Sequence, residues 1–141
     1  MGLQATRVDV WAATLKDVPG SLAQKLSVLS EAGANLQFVV ARREHAKPGT
    51  GVVFVTPIRG AAQAKAAKSA GFAKTKSLQS LRVEGPDKPG QGARITTAIA
   101  QAGISLRGLS AASIGRSFVT YLAFDAAKDA SKARSILRKL R

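Results

Sequence analysis

Few side chains in this chain can do chemistry. Its 141 residues hold eight Asp and Glu, one His and no Cys. Without Cys, disulfides, Cys-based zinc sites and thiol nucleophiles are excluded. His45 stands alone, so a two-His metal site within one chain is excluded too. The acids are Asp9, Asp17, Glu31, Glu44, Glu84, Asp87, Asp125 and Asp129, with no metal-cluster spacing and no recognised catalytic pattern among them. One short motif occurs twice, as Asp17-Val18-Pro19-Gly20 and Asp87-Lys88-Pro89-Gly90. An Asp in such a turn accepts a charge-assisted hydrogen bond from an ammonium group, or it caps the helix that follows. Gly20 and Gly90 let a ligand approach the backbone closely. The free amides of a helix N-terminus suit a carboxylate. This is binding chemistry, and no enzyme is expected.

The motif belongs to a repeat. At an offset of 70 residues Leu29 meets Ile99, Ala32 meets Ala102, Gly33 meets Gly103, Leu36 meets Leu106 and Asn35 falls on Ser105. Near the end of each copy the offset shortens to 66, where Ala64, Ala67 and Ala70 meet Ala130, Ala133 and Ile136. The missing residues are assigned to the hairpin, long from Arg42 to Thr50 and short at Ile114-Gly115-Arg116. Two units follow, residues 1–77 and 78–141.

Each unit has the same element order. Val8, Val10 and Ala12 alternate with Arg7, Asp9 and Trp11, the period of a strand. Pro19 near the first helical position suits a helix start, and Leu22, Leu26 and Leu29 follow at helical spacing up to a Gly33 cap. Leu36 to Val40 and Val52 to Thr56 read as a strand pair. Ala61 to Ala70 is an Ala-rich helix, and Phe72 to Thr75 a short fourth strand. The second unit gives a strand at Leu78–Glu84, a helix at Pro89–Ala102, hairpin strands at 105–114 and 117–124, and a last helix from Ala126. The expected fold is α+β, two ferredoxin-like βαββαβ units in tandem, the second lacking a clear fourth strand. That leaves an open sheet edge, to be closed by an oligomer or explained by a truncated terminus.

Strand, D-x-P-G, an amphipathic helix ending Ala-Gly-Ala-Asn-Leu, a hairpin and a second helix together resemble the ACT domain, a small module that binds amino acids and regulates. The resemblance covers nearly the whole chain, in two copies, as in small stand-alone tandem ACT proteins. It implies a small amino acid bound at an interface between two modules. It also implies the contacts: Asp17, Val18, Gly20, Ser21 and Leu22 with Asn35 and Leu36 in the first unit. In the second they are Asp87, Lys88, Gly90, Gln91 and Gly92 with Ser105 and Leu106. Asn35 carries donors and acceptors and can read either end of a zwitterion, or it merely tolerates the backbone after the helix. Lys88 places a cation beside the second turn, so the first unit is the better candidate. No cofactor and no metal are expected. A homodimer is expected, because ligand sites lie between modules and an edge strand is missing.

Charge supplies the rival reading. Lys and Arg number 22, for a net charge of +14. Each unit holds 11 basic and 4 acidic residues, so the charge is even rather than gathered in a tail. Such an excess attracts anions. The alternative function is therefore a basic ferredoxin-like module binding RNA, DNA or an acidic protein partner. Trp11, Phe54 and Tyr121 are placed on helix-free sheet faces, where bases stack in RNA-recognition domains of this fold. The Lys/Arg-Gly-aromatic run of that family is absent, however, and nucleic acid is the lesser expectation. On the last helix, Lys128, Lys132 and Lys139, with Arg134, Arg138 and Arg141 nearby, form a basic face suited to an acidic partner. Gly90-Gln91-Gly92 and Lys47 to Gly51 match no phosphate-loop or dinucleotide pattern. His45 sits in a turn-rich hairpin and is expected in solvent. No apolar run reaches membrane-spanning length and no signal-peptide core is present, so a cytoplasmic protein without membrane contact is expected.

Overall fold

The computed structural model describes residues 2–140. In chain order the elements are β1 (Gln4–Val8), β2 (Trp11–Lys16), α1 (Ser21–Glu31), β3 (Phe38–Arg43), β4 (Thr50–Thr56), α2 (Gly60–Ser69) and β5 (Ala73–Lys74). Then come β6 (Gln79–Pro86), α3 (Gln91–Gln101), β7 (Gly108–Ile114), β8 (Ser117–Phe124) and α4 (Ala127–Lys139). The strands form two four-stranded antiparallel sheets, each with two helices of its own unit. Both units are ferredoxin-like.

The unit Asp9–Thr75 has strand order β3-β4-β2-β5. Trp11, Ala13 and Leu15 of β2 and Val53 and Val55 of β4 point to one face, and Leu29, Ala67 and Phe72 pack on them. Trp11 is thus a core residue, 5% exposed, and not on the helix-free face where the alternation placed it. Residues 4–16 form two strands, and the inward set is odd-numbered in both, with Leu3 and Ala5 on one side and Trp11, Ala13 and Leu15 on the other, while the apolar Val8 and Ala12 are only half-buried.

The other unit has the order β7-β8-β6-β1. Here the expectation of a missing strand is corrected. β1 pairs antiparallel with β6 from Gln4–Glu84 to Val8–Ser80, in the place that β5 holds beside β2. The chain's own first strand closes the edge, and no oligomer is needed for that purpose. The boundary after residue 77 shifts with it, because β1 belongs with residues 76 onward. Sequence periodicity reports that a segment is a strand, not which distant strand it joins.

Two features hold β1 in place. Leu3 and Ala5 enter the core formed by Leu81, Val83, Ile95, Ile99, Leu122, Phe124 and α4. Arg134 Nε and Arg138 Nε donate to the Ala5 carbonyl at 3.3 and 3.2 Å, covering backbone that an edge strand otherwise leaves bare. The two units also fill equivalent positions differently. Leu15 lies opposite Gly51, whereas Gly85 lies opposite Phe118. A Cβ on Gly85 would clash with Leu3 Cδ2, so Leu3 occupies the room that Leu15 fills for itself.

Leu3→Ala should therefore cost about 3 kcal/mol, the usual loss for a truncated core leucine. Urea unfolding of the full chain measures it. A loss within about 0.5 kcal/mol, as at a surface position, would contradict the placement of β1.

Candidate functional site

Both D-x-P-G turns have the same backbone design. Asp17 N–H donates to Gly49 O at 3.0 Å and Asp87 N–H to Arg116 O at 2.9 Å, tying each turn to the hairpin of its own unit. Gly20 and Gly90 then adopt φ of 86° and 81° as the residues before α1 and α3. That left-handed conformation strains any residue with a Cβ. Pro19 and Pro89 precede these glycines, so the prolines shape the turn rather than occupy the first helical position.

The aspartates do not cap. Neither helix has a side-chain cap hydrogen bond. Asp17 Oδ2 instead accepts from Arg43 Nε at 2.9 Å, and Asp87 Oδ1 accepts from Ser113 Oγ at 2.8 Å. Arg43 and Ser113 are themselves equivalent, 70 residues apart. The repeat thus preserves the tie from the end of the hairpin strand to the Asp and changes its chemistry from ionic to neutral. A partner from another element, 26 residues away in each case, leaves no local sequence signal.

Around the first turn is an open depression of about 190 Å³, lined by Leu15, Lys16, Asp17, Val18, Ser21, Leu22, Ala41, Arg42, Arg43 and Gly51. Five of the expected residues, then, fall together: Asp17, Val18, Ser21 and Leu22 line it, and Gly20 shapes its turn. Val18 is exposed, and Leu22 also packs on the core. Asn35 and Leu36 are not in this group. Asp17 follows Lys16, which pairs with Thr50, while β3 begins with Phe38 opposite Thr56. Six strand residues separate the two ends, about 20 Å. Asn35 is exposed at the far end, and Leu36 packs on the core.

The second unit repeats that separation, with Asp87, Lys88 and Gly90 at one end and Ser105 at the other. Leu106 is half-buried on the core. Gln91 is 2% exposed and its amide is occupied internally: Nε2 donates to Pro86 O at 2.8 Å and Oε1 accepts from Arg94 Nη1 at 2.7 Å. The Phe118 ring lies 3.8 Å from where a Cβ on Gly92 would stand, an ordinary packing distance.

The features behind the nucleic-acid reading are altered. Tyr121 is on the helix-free face as expected, but it is only 9% exposed and its hydroxyl accepts from Arg82 Nε at 3.2 Å. Burial opposes the Arg82 charge, yet hydrogen bonds to Glu84 and Tyr121 outweigh it and hold the guanidinium above its ordinary pKa. With Trp11 in the core, Phe54 is left as a half-buried aromatic on that side. On α4, Arg134 and Arg138 are engaged with β1, and Lys132 Nζ donates to Ala102 O at 3.2 Å. Lys128 and Lys139 are exposed, and Arg141 lies outside the described residues. Among the described residues no group of three His, Cys, Asp or Glu is arranged for a metal, and no helix is long and apolar enough to cross a membrane.

Comparison with known proteins accords with this geometry. Residues 79–141 match the model of the ACT domain. The match falls within the second of the two ferredoxin-like units and covers less than half of the chain. A crystal structure of a Bacteroides thetaiotaomicron protein superposes with a TM-score of 0.76 at 17% identity, covering 97% of this chain and 99% of that one. The ligand-free regulatory subunit of aspartate kinase from Thermus thermophilus gives 0.66 at 15% identity, over 99% and 97% of the two chains. The corresponding Thermus flavus subunit gives 0.61 at 15%, over 96% and 95%. At such identities the likeness establishes the fold. No curated protein sequence matches the chain.

Gly20→Ala and Gly90→Ala should each cost about 1 kcal/mol, the penalty of a left-handed backbone. Nothing lies within 4 Å of either Cβ position, so the cost is conformational and not steric. Denaturant midpoints of the two variants check this; unchanged midpoints would contradict the turn geometry.

Proposed function

We propose that this chain is a regulatory protein that reversibly binds a small amino acid, with the first D-x-P-G turn as its principal contact. The observation that carries the reading is the depression at Asp17: an open cavity at the N-terminus of α1, in a chain whose second copy matches the ACT domain. Amides of the first helical turn receive the ligand carboxylate. Asp17 shares its carboxylate between Arg43 and the ligand ammonium. Asn35, Ser105 and the Asp87 turn belong to the same scheme as the contacts of a partner module and of a second, weaker site. The relatives named as regulatory subunits of aspartate kinase support a regulatory role for this chain.

The separation of Asp17 from Asn35 sets the assembly. A single unit cannot bring both to one small ligand, so a ligand that uses both needs two modules. A homodimer supplies them. Binding then favours the packing in which both halves of the site meet, and a partner that reads this packing completes the regulation. The remaining basic surface, including Lys128 and Lys139, suits an acidic protein partner. Nucleic acid is the weaker alternative, since two of the three aromatics it would use are buried.

Calorimetry of the full chain against the common L-amino acids should show at least one saturable ligand. Asp17→Ala and Asn35→Ala should each weaken it about tenfold, the value of one charge-assisted or well-placed hydrogen bond. An absence of heat and of thermal shift with every amino acid would sink the reading. Steeply salt-dependent binding of RNA instead would favour the alternative.

A further inference from the structure

The outer edge of β2 is only half covered. Asp17 N–H bonds Gly49 O on the hairpin side, and Thr75 N–H bonds Val10 O on the β5 side. Successive residues of an antiparallel strand turn their N–H and C=O groups to alternate neighbours. The odd-numbered residues of β2 therefore bond β4, and Ala12, Thr14 and Lys16 present their backbone to the β5 side. The pairing there stops at Ala12, opposite Ala73. Among the described residues nothing bonds the Thr14 N–H or C=O on that side, and Thr14 is exposed. Along this edge runs a trough of about 580 Å³, walled by Ser21, Gln24, Lys25 and Val28 of α1 and by Ser69 and Ala70 at the end of α2.

The other unit has the same edge occupied. There β1 runs on past the equivalent point, pairing Ala5 with Val83 and Gln4 with Glu84, which stands 70 residues after Thr14. Leu3 then sits over Gly85 and joins Ile95 in the core. At the same offset Gly85 and Ile95 answer to Leu15 and Lys25. Leu15 fills for itself the room that Leu3 takes, and a half-buried lysine stands in place of the buried isoleucine. Lys25 Nζ donates to Ala70 O. Neither Lys25 nor Lys16 makes an ion pair among the described residues, and no Asp or Glu lines the trough. A strand added here would bond the Thr14 backbone, and the side chain in the place of Leu3 would face Lys25. A second copy of this edge would bring its own Lys16 and Lys25 to a trough without an acid, so like charges oppose self-pairing. We propose that the edge of β2 over residues 13–16 is a docking site for an extended acidic segment of a partner protein. The segment adds as a strand, with a Glu or Asp carboxylate on Lys25. The site does not depend on amino-acid binding.

The probes are two capped hexapeptides, one alternating Glu and Thr and the other alternating Lys and Thr. Each is titrated into the full isotope-labelled chain and followed by NMR. The Glu peptide should bind saturably, with the largest amide shifts at residues 13–16 and 24–28 and slowed exchange of the Thr14 N–H. The Lys peptide should not bind. Lys25→Glu should reverse that preference. Thr14→Pro should weaken Glu-peptide binding about tenfold, as for loss of one hydrogen bond. It should spare the pairing of β2 with β4, because this N–H points away from β4. Lys65→Ala, which removes an exposed cation of α2, should leave binding unchanged. Shifts scattered over the whole basic surface would overturn the proposal, marking nonspecific attraction by a chain of net charge +14. An unchanged preference in Lys25→Glu, or no binding of the Glu peptide, would overturn it too and leave the amino-acid-binding reading intact. So would a dimer in sedimentation that Thr14→Pro dissolves, since the edge would then belong to a second copy. Should Thr14→Pro fail to fold, the reversal in Lys25→Glu decides.

Discussion

The fold depends on giving β6 a neighbour on its outer side. In the order β7-β8-β6-β1, β6 is an interior strand that carries Leu81 and Val83 into the core. Residues after 76 supply only two of its companions in the sheet, β7 and β8. The fourth strand arrives from the other end of the chain, with Leu3 filling the space over Gly85 and two arginines of α4 covering the Ala5 carbonyl. In sequence, the whole first unit is thereby inserted between a strand and its partner. That unit meets the same need with a two-residue β5, because Leu15 supplies from within what Gly85 leaves to Leu3.

The two D-x-P-G turns show how a duplicated scaffold separates shape from chemistry. The backbone tie to the hairpin and the left-handed glycine occur in both copies. These are steric and hydrogen-bonding requirements of the turn itself. The groups around the turn have diverged: Arg43 on Asp17 in one copy, Ser113 on Asp87 in the other, and Gln91 withdrawn into the interior.

Much of this was legible in the sequence, for physical reasons. Gly20 and Gly90 recur because only glycine takes φ near +80° without strain, and Leu29 and Ile99 recur because each fills a helix–sheet core at 0% and 1% exposure. Such local and packing demands fix residue types, so the repeat, the element order and the position of the turns could be read directly. Pairings between distant segments could not. Nothing in Gln4–Val8 names β6 as its neighbour, and the apolar series Val8, Val10 and Ala12 points to the even-numbered face although Trp11, Ala13 and Leu15 make the core. Ligand contact and capping are local roles that the sequence suggests for Asp17 and Asp87, whereas Arg43 and Ser113 reach them from the hairpin.

In the proposed scheme the first turn is the principal ligand contact, the second turn a weaker one, and the sheet face takes no part. Hydrogen exchange of the full chain, with and without a saturating amino acid, tests it at residue level. Slowed exchange is expected across residues 16–22 and 42–51, with a second zone at 34–37 and no comparable change in Tyr121 and its strand neighbours. Protection confined to β6 and β8, or spread evenly over both units, would contradict it.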